Sequence, residues 1–162
     1  ETLEHCIARA QNAWGVTVYL EPGEACALNA GYLLTRVLDV VQNGDTTVAI
    51  LDASAACHMP DVIEMPYRPP LLFAGDAGQK PCTVRLAGPT CLAGDVIGDY
   101  SFDAVPRAGD LLVFGDMAIY TTCKNNTFNG MPLPAICVRD EAGSVRELVK
   151  FGYRDFKARL GR

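Results

Sequence analysis

The chain has 162 residues, 49% of them hydrophobic and 20% charged, a balance that sustains a compact core and excludes a disordered polymer. Its formal net charge of -5 and pI near 4.9, with no run of Lys or Arg, argue against nucleic-acid and anionic-membrane partners and favour a cationic small molecule. No apolar stretch approaches the length of a membrane span, and the opening ETLEHCIARAQNAWG lacks a basic region and an apolar signal core, so the protein is read as cytoplasmic.

In chain order, Leu3, Cys6, Ile7, Ala10 and Trp14 recur at helical spacing, which predicts an amphipathic helix from residue 1 to about 13 that stops at Gly15. Val16 to Leu20, β-branched and aromatic, predicts a short strand ending at the turn Glu21-Pro22-Gly23-Glu24. Helix, strand, then acidic loop is the order of an α/β barrel, where chemistry sits after the C-terminal end of a strand. A carboxylate held there by Pro-Gly can bond a protonated ring nitrogen; Glu24 reads equally as an acid favoured at a helix N-terminus.

From Gly31 onward the texture is all-β: YLLTRVLDVVQ, TTVAILDAS, PCTVRLAG, DLLVFGDMAIYTTC and PAICVRD, punctuated by Gly, Pro, Asn and Asp. The QNGD at Gln42 to Asp45 predicts a hairpin with antiparallel flanking strands. HMPDVIEMPYRPPLL carries too many prolines for a central strand and reads as a long loop with a helical turn at Asp61 to Glu64. The tail FGYRDFKARLGR reads as a short basic terminus anchored by its two Phe residues.

A single helix and strand cannot close a barrel. With the missing initiator Met, this leads us to expect two parts: residues 1–30, the end of a barrel, and residues 31–162, a β-sandwich or barrel domain. The seven cysteines are odd in number and contain no C-x-x-C pair, which argues against zinc and a disulfide framework. Most are read as small buried hydrophobes in a reducing compartment. Cys91 stands apart: in GPTCLAGDVIGDY it follows a Gly-Pro corner, with Asp95 four residues on, which suits a thiol that must deliver a proton to one carbon. A packed turn cysteine is the plain alternative. Tyr120 is read in a β run, a place for a core residue more often than a ligand, and Phe128-Asn129-Gly130 ends that run.

Taken in order, EPGE, GPTC with its Asp, AIYT and FNG resemble the C-terminal half of the fold-type III, alanine-racemase-like pyridoxal phosphate (PLP) decarboxylases. Within them YLEPGEA, CHMPDVIEMPYRP, GPTCLAGDVIGDY and FGYRDFK resemble the carboxynorspermidine (carboxyspermidine) decarboxylase group, from about Val18 to Lys157. The resemblance implies a mainly β C-terminal domain preceded by the last helix and strand of an incomplete (β/α)8 PLP-binding barrel, in a homodimer with shared active sites. It implies Glu21 at the pyridinium nitrogen, Gly23 in the same cofactor turn and Tyr120 at the phosphate. Cys91 would protonate the substrate carbon in the partner's site, Asp95 would support the interface and Phe128 would line the pocket.

Two departures from related enzymes point to the substrate. The acid turn ends in Glu24 where ornithine and diaminopimelate decarboxylases have Arg, and Leu92 replaces the acidic residue after Cys91. Glu24, Asp61 and Glu64 would then pair with the amines of a carboxylated polyamine, although a solvated acidic loop explains them too. The family's Schiff-base lysine, histidine and glycine-rich loop precede the acid turn and are not in this sequence; Lys80, Lys124, Lys150 and Lys157 lie in the β part. The competing readings are a non-catalytic dimerisation module of the same fold and a PLP racemase or decarboxylase for another diamino acid.

Overall fold

The computed structural model describes residues 2–161; Glu1, where the expected helix begins, and Arg162, the end of the basic tail, lie outside the described residues. Helix α1 (Leu3–Trp14) is started by Thr2, whose hydroxyl accepts from the His5 amide. It is closed by Gly15 in the left-handed region at φ 64, whose amide donates to the Gln11 carbonyl. None of its side chains is buried. The strand expected at Val16 to Leu20 does not form: residues 15–22 have no regular structure. A β ladder needs a neighbour, and among the described residues no segment pairs with this one. The acid turn leads into a single turn of helix, α2 (Glu24–Ala27).

Strand β1 (Leu33–Asn43) and strand β2 (Thr46–Leu51) form the expected antiparallel hairpin, with Asn43 opposite Thr46 and Gly44 at φ 57 in the two-residue loop. Two short helical turns follow, α3 (Ala55–His58) and the expected α4 (Asp61–Glu64). Next come β3 (Gly75–Asp76), β4 (Cys82–Ala87), β5 (Val96–Phe102) and β6 (Leu111–Phe114). Strand β4 lies parallel to β2, which requires a crossover, and that crossover is the proline-rich loop.

These strands form one sheet in the order β3-β5-β4-β2-β1-β6. The sheet closes on itself. Leu72 N donates to Val113 O at 3.0 Å and Gly115 N to Pro70 O at 2.8 Å, on the β6 edge, while Gly75 and Asp76 of the same segment pair with Ser101 and Tyr100 on the β5 edge. Residues 70–76 therefore bridge both edges and remove the exposed ladder that an open sheet would carry. Tyr100 and Phe114, near opposite ends of the strand order, meet edge-on with ring centroids 6.1 Å apart. Inward-facing residues alternate along the strands, among them Val37, Ala49, Leu51, Val84, Leu86 and Phe114, and Met59 and Val62 of the crossover join the same core.

Beyond the barrel lie α5 (Tyr120–Cys123) and a 3-10 turn (Phe128–Gly130), then the hairpin β7 (Ile136–Arg139) with β8 (Val145–Val149), and helix α6 (Tyr153–Arg159). The apolar run through Tyr120 thus becomes helix instead of strand, because β6 stops at Phe114 where the pairing with β1 and with Leu71 ends. The tail anchors as expected, Phe151 and Phe156 lining a cavity of about 270 Å³ with Met131 and Pro132. The cysteines depart from expectation. Cys57 is buried and Cys82 half-buried, whereas Cys6, Cys26, Cys123 and Cys137 are exposed on elements whose apolar faces are uncovered, and Cys91 is exposed in the connection between β4 and β5.

Candidate active site

Cys91 lies in the connection between β4 and β5, and that connection is tied to a buried carboxylate. Asp95 is 3% exposed. Its Oδ2 accepts from the Thr90 hydroxyl at 2.6 Å and the Thr90 amide at 3.3 Å. Its Oδ1 accepts from Ser54 Oγ at 2.9 Å and the Ala56 amide at 3.2 Å. Four donors on one carboxylate replace the water lost on burial. Gly88 is needed for this approach, because a Cβ there would overlap the Asp95 carboxylate. Cys91 itself is exposed at the tip, and its sulfur accepts from Asn129 Nδ2 at 3.1 Å.

Ser54 caps α3 and Ala56 lies within it, and the carbonyls of Ala56 and Cys57 hold the segment that carries Asn129. Asn126 donates its amide to Cys57 O at 3.0 Å and its side-chain Nδ2 to Ala56 O at 2.7 Å, while its Oδ1 accepts from Phe128 N at 3.0 Å. The Cys57 thiol donates to Phe128 O at 3.6 Å, and burial pushes that thiol's pKa up. His58 Nδ1 accepts from Ser54 N at 3.1 Å, so Nε2 carries the proton that bonds Pro132 O at 3.0 Å. Burial pushes His58 below its ordinary pKa, in keeping with a neutral ring. Phe128 borders an open groove of about 580 Å³ together with Asn129, Phe156 and Arg159.

A second group assembles around α5. Asn29 N donates to Asp116 Oδ1 at 2.9 Å and Met117 N to Gly31 O at 2.9 Å, lacing the chain that leaves the acid turn to the chain that enters α5. These bonds tie residues 29–31, a few positions after the acid turn, to residues 116–117, a few positions before Tyr120. Among the described residues Glu21 and Glu24 make no side-chain hydrogen bond or ion pair, and Gly23 would accept a Cβ without a neighbour inside 4 Å. Tyr120 is 57% exposed. Among the described residues its hydroxyl has no hydrogen-bond partner, and the adjacent Thr121 Oγ1 is buried with none, as is Asn125 Oδ1.

Asp61 and Glu64 are brought together, but neither is vacant. Lys124 Nζ, at the end of α5, lies 2.5 Å from Asp61 Oδ1 and 3.3 Å from Glu64 Oε2, and sits 4.9 Å from the centre of the Tyr120 ring. Asp61 first, and Glu64 after it, hold the Lys124 ammonium above its ordinary pKa. Burial, with the nearby carboxylates of Asp61 and Asp116, likewise pushes Tyr67 up. The geometry thus places Cys91, Asp95 and Phe128 in one cluster and Tyr120, Asp61 and Glu64 in another, with residues 29–31 tied to the chain that enters α5. The two clusters are joined by the crossover that carries α3 and α4. Asp95 is buried, so its reach toward any interface passes through the Cys91 connection that it ties down.

Several residues in these clusters were given no role by the sequence alone. Ser54 carried a legible signal, a Ser at the N-cap whose hydroxyl accepts from Cys57 N at 3.1 Å. Asn129 did too, as the first half of an Asn-Gly turn, with φ 58. Lys124 and His58 carried none, because their partners lie 63 and 74 residues away in sequence.

Comparison with known proteins bears on these clusters. Residues 16–118 match the family described as pyridoxal-dependent decarboxylase, C-terminal sheet domain. The carboxyaminopropylagmatine decarboxylase of Synechocystis sp. is 44% identical over 142 residues, covering 88% of this chain and 37% of that protein. The carboxynorspermidine/carboxyspermidine decarboxylase of Campylobacter jejuni is 40% identical over 171 residues, covering 97% of this chain and 44% of that protein. The crystal structure of carboxynorspermidine decarboxylase from Campylobacter jejuni, complexed with norspermidine, superposes with a TM-score of 0.81 at 40% identity, over 92% of this chain and 43% of the other. The chain thus spans less than half the length of these relatives.

Proposed function

We propose, from the premise that this chain belongs to the family of pyridoxal-dependent decarboxylase C-terminal sheet domains, that it serves a decarboxylase of carboxylated polyamines. The reaction is the conversion of carboxynorspermidine or carboxyspermidine to norspermidine or spermidine plus CO2, carried out in the cytoplasm by a homodimer with shared sites and a barrel portion beyond this sequence. The observation that carries this reading is the Cys91 connection: an exposed thiol at the tip of a hairpin whose base is braced by a buried carboxylate. The identities to the polyamine-pathway relatives narrow the substrate class.

The residues present fit the cofactor. Among the described residues the Glu21 carboxylate and the Tyr120 hydroxyl are unengaged, and the Thr121 hydroxyl beside Tyr120 is buried without a partner. Glu21 would hold the proton on the pyridinium nitrogen, Gly23 would let the turn pass close to the ring, and Tyr120 would bond the phosphate. Bound pyridoxal phosphate supplies the electron sink that lets the bond between Cα and the carboxylate break. Cys91 then moves its Sγ proton to the carbon that has lost CO2 in the partner's site and is reprotonated from water. Rigid attachment of the Cys91 connection to Asp95 matters here, because a proton donor works only within hydrogen-bond reach of its acceptor.

Amine recognition falls to Glu24, Asp61 and Glu64, with Phe128 on the apolar wall. Lys124 changes how that recognition works: an arriving ammonium shares or displaces a resident one. The deciding experiment is Cys91→Ala in the full-length enzyme. Cofactor absorbance stays at the wild-type level while turnover falls about a hundredfold or more, or shifts to a wrongly protonated product. Wild-type rate and product ratio would overturn the assignment.

A further inference from the structure

The bonds beneath Cys91 form a closed circuit. From the sulfur the path runs to Asn129, through the 3-10 turn to Asn126 and Phe128, into α3 at Ala56 and Cys57, out through Ser54 to Asp95, and back through Thr90 to Cys91. His58 pins the same helix to Pro132, just past that turn. Both partners of the Asn129–Cys91 contact therefore hang on one four-residue helix, and its buried groups leave little slack. The contact itself is exposed, so it is not a by-product of core packing. Asn129 holds a backbone φ of 58, which only a few non-glycine residues adopt without strain.

We infer that Asn129 is a positioning residue for the Cys91 thiol. Its side-chain amide donates to Sγ, selects one thiol rotamer and leaves the S–H proton free for the substrate carbon. The inference rests on the reading of Cys91 as proton donor. Without the amide, Cys91 is free to distribute over about three staggered wells, only one of which faces the acceptor.

The test uses the full-length, cofactor-loaded enzyme. Asn129→Gly tolerates the positive φ, so it removes the amide without straining the turn, and cofactor absorbance confirms that the site is intact. The expected result is kcat lower by about three- to tenfold with KM unchanged. A larger share of turnovers should end in the wrongly protonated product. The double variant Cys91→Ala/Asn129→Gly should be no slower than Cys91→Ala alone. A readout independent of turnover is peptide-resolved iodoacetamide labelling of the apoenzyme. Asn129→Asp sets an anion about 4 Å or less from the sulfur and should slow labelling of Cys91 about fivefold at low salt. Wild-type kcat and product ratio in Asn129→Gly, unchanged labelling in Asn129→Asp, or an additive loss in the double variant would each overturn the positioning role. Cys91→Ala separates the two claims. If it alone behaves as wild type, the proton-donor reading falls; if it is impaired while Asn129→Gly is not, only the present inference falls.

Discussion

Residues 33–114 and residues 3–28 both carry apolar periodicity, yet only the first segment buries it. The barrel strands turn Val37, Leu51, Val84, Leu86 and Phe114 into one core, whereas α1 forms its helix, caps it at both ends and leaves Trp14 76% exposed. The difference separates two kinds of cause. A helix closes its hydrogen bonds within itself, so capping and periodicity suffice to make one. A strand, and any burial, needs a second surface. The barrel segment supplies its own by bridging both sheet edges with residues 70–76, whereas among the described residues nothing pairs with residues 15–22, which form no strand.

The largest expected effect breaks or confirms this comparison directly. Phe114→Ala empties the centre of the core and should cost about 3 to 5 kcal/mol in urea unfolding of this chain. Trp14→Ala should stay within about 0.5 kcal/mol. If the tryptophan substitution cost as much as the phenylalanine one, α1 would be packed in solution and the contrast would vanish.

A smaller effect sharpens the picture on the barrel side. His58 is buried and neutral, and its folded pKa lies below the ordinary 6.5. Below that value the unfolded chain binds the proton more readily than the folded one, so His58 destabilises the fold as pH falls through 6.5 toward the depressed folded value. His58→Gln should flatten the stability curve between about pH 7 and pH 5. Equal slopes for the variant and the parent would show that the ring titrates without hindrance.

The smallest effect belongs to the barrel's outer surface. Arg85 Nε and Nη2 meet Asp99 Oδ1 and Oδ2 at 2.7 and 2.9 Å, an exposed two-point ion pair across β4 and β5. The pair holds the Asp99 carboxyl below its ordinary pKa, so its contribution is present above about pH 4 and fades as acid is added. A double-mutant cycle with Arg85→Ala and Asp99→Ala should return about 0.2 to 1 kcal/mol. A coupling several times larger would mean that surface pairing, and not the buried core, distinguishes the barrel from α1.

What the amino-acid order determined by itself is whatever closes over a few residues. The helix that stops at Gly15, the hairpin at Gly44, the turn at Asp61 to Glu64, and the acidic and Gly-Pro corners that single out Glu21 and Cys91 all rest on local backbone preferences. Tertiary structure decided what depends on distant partners. It denied Val16 to Leu20 a strand for want of a neighbour, and it made Tyr120 helical because β6 runs out of pairing at Phe114. It filled the Asp61–Glu64 pair with Lys124, and it set Asn129 against a sulfur 38 residues away. The physical reason is the range of the forces. Dihedral preferences and capping bonds are written into neighbouring residues, whereas desolvation, ion pairing and ladder formation are settled only when the folded chain brings a second surface within a few ångströms.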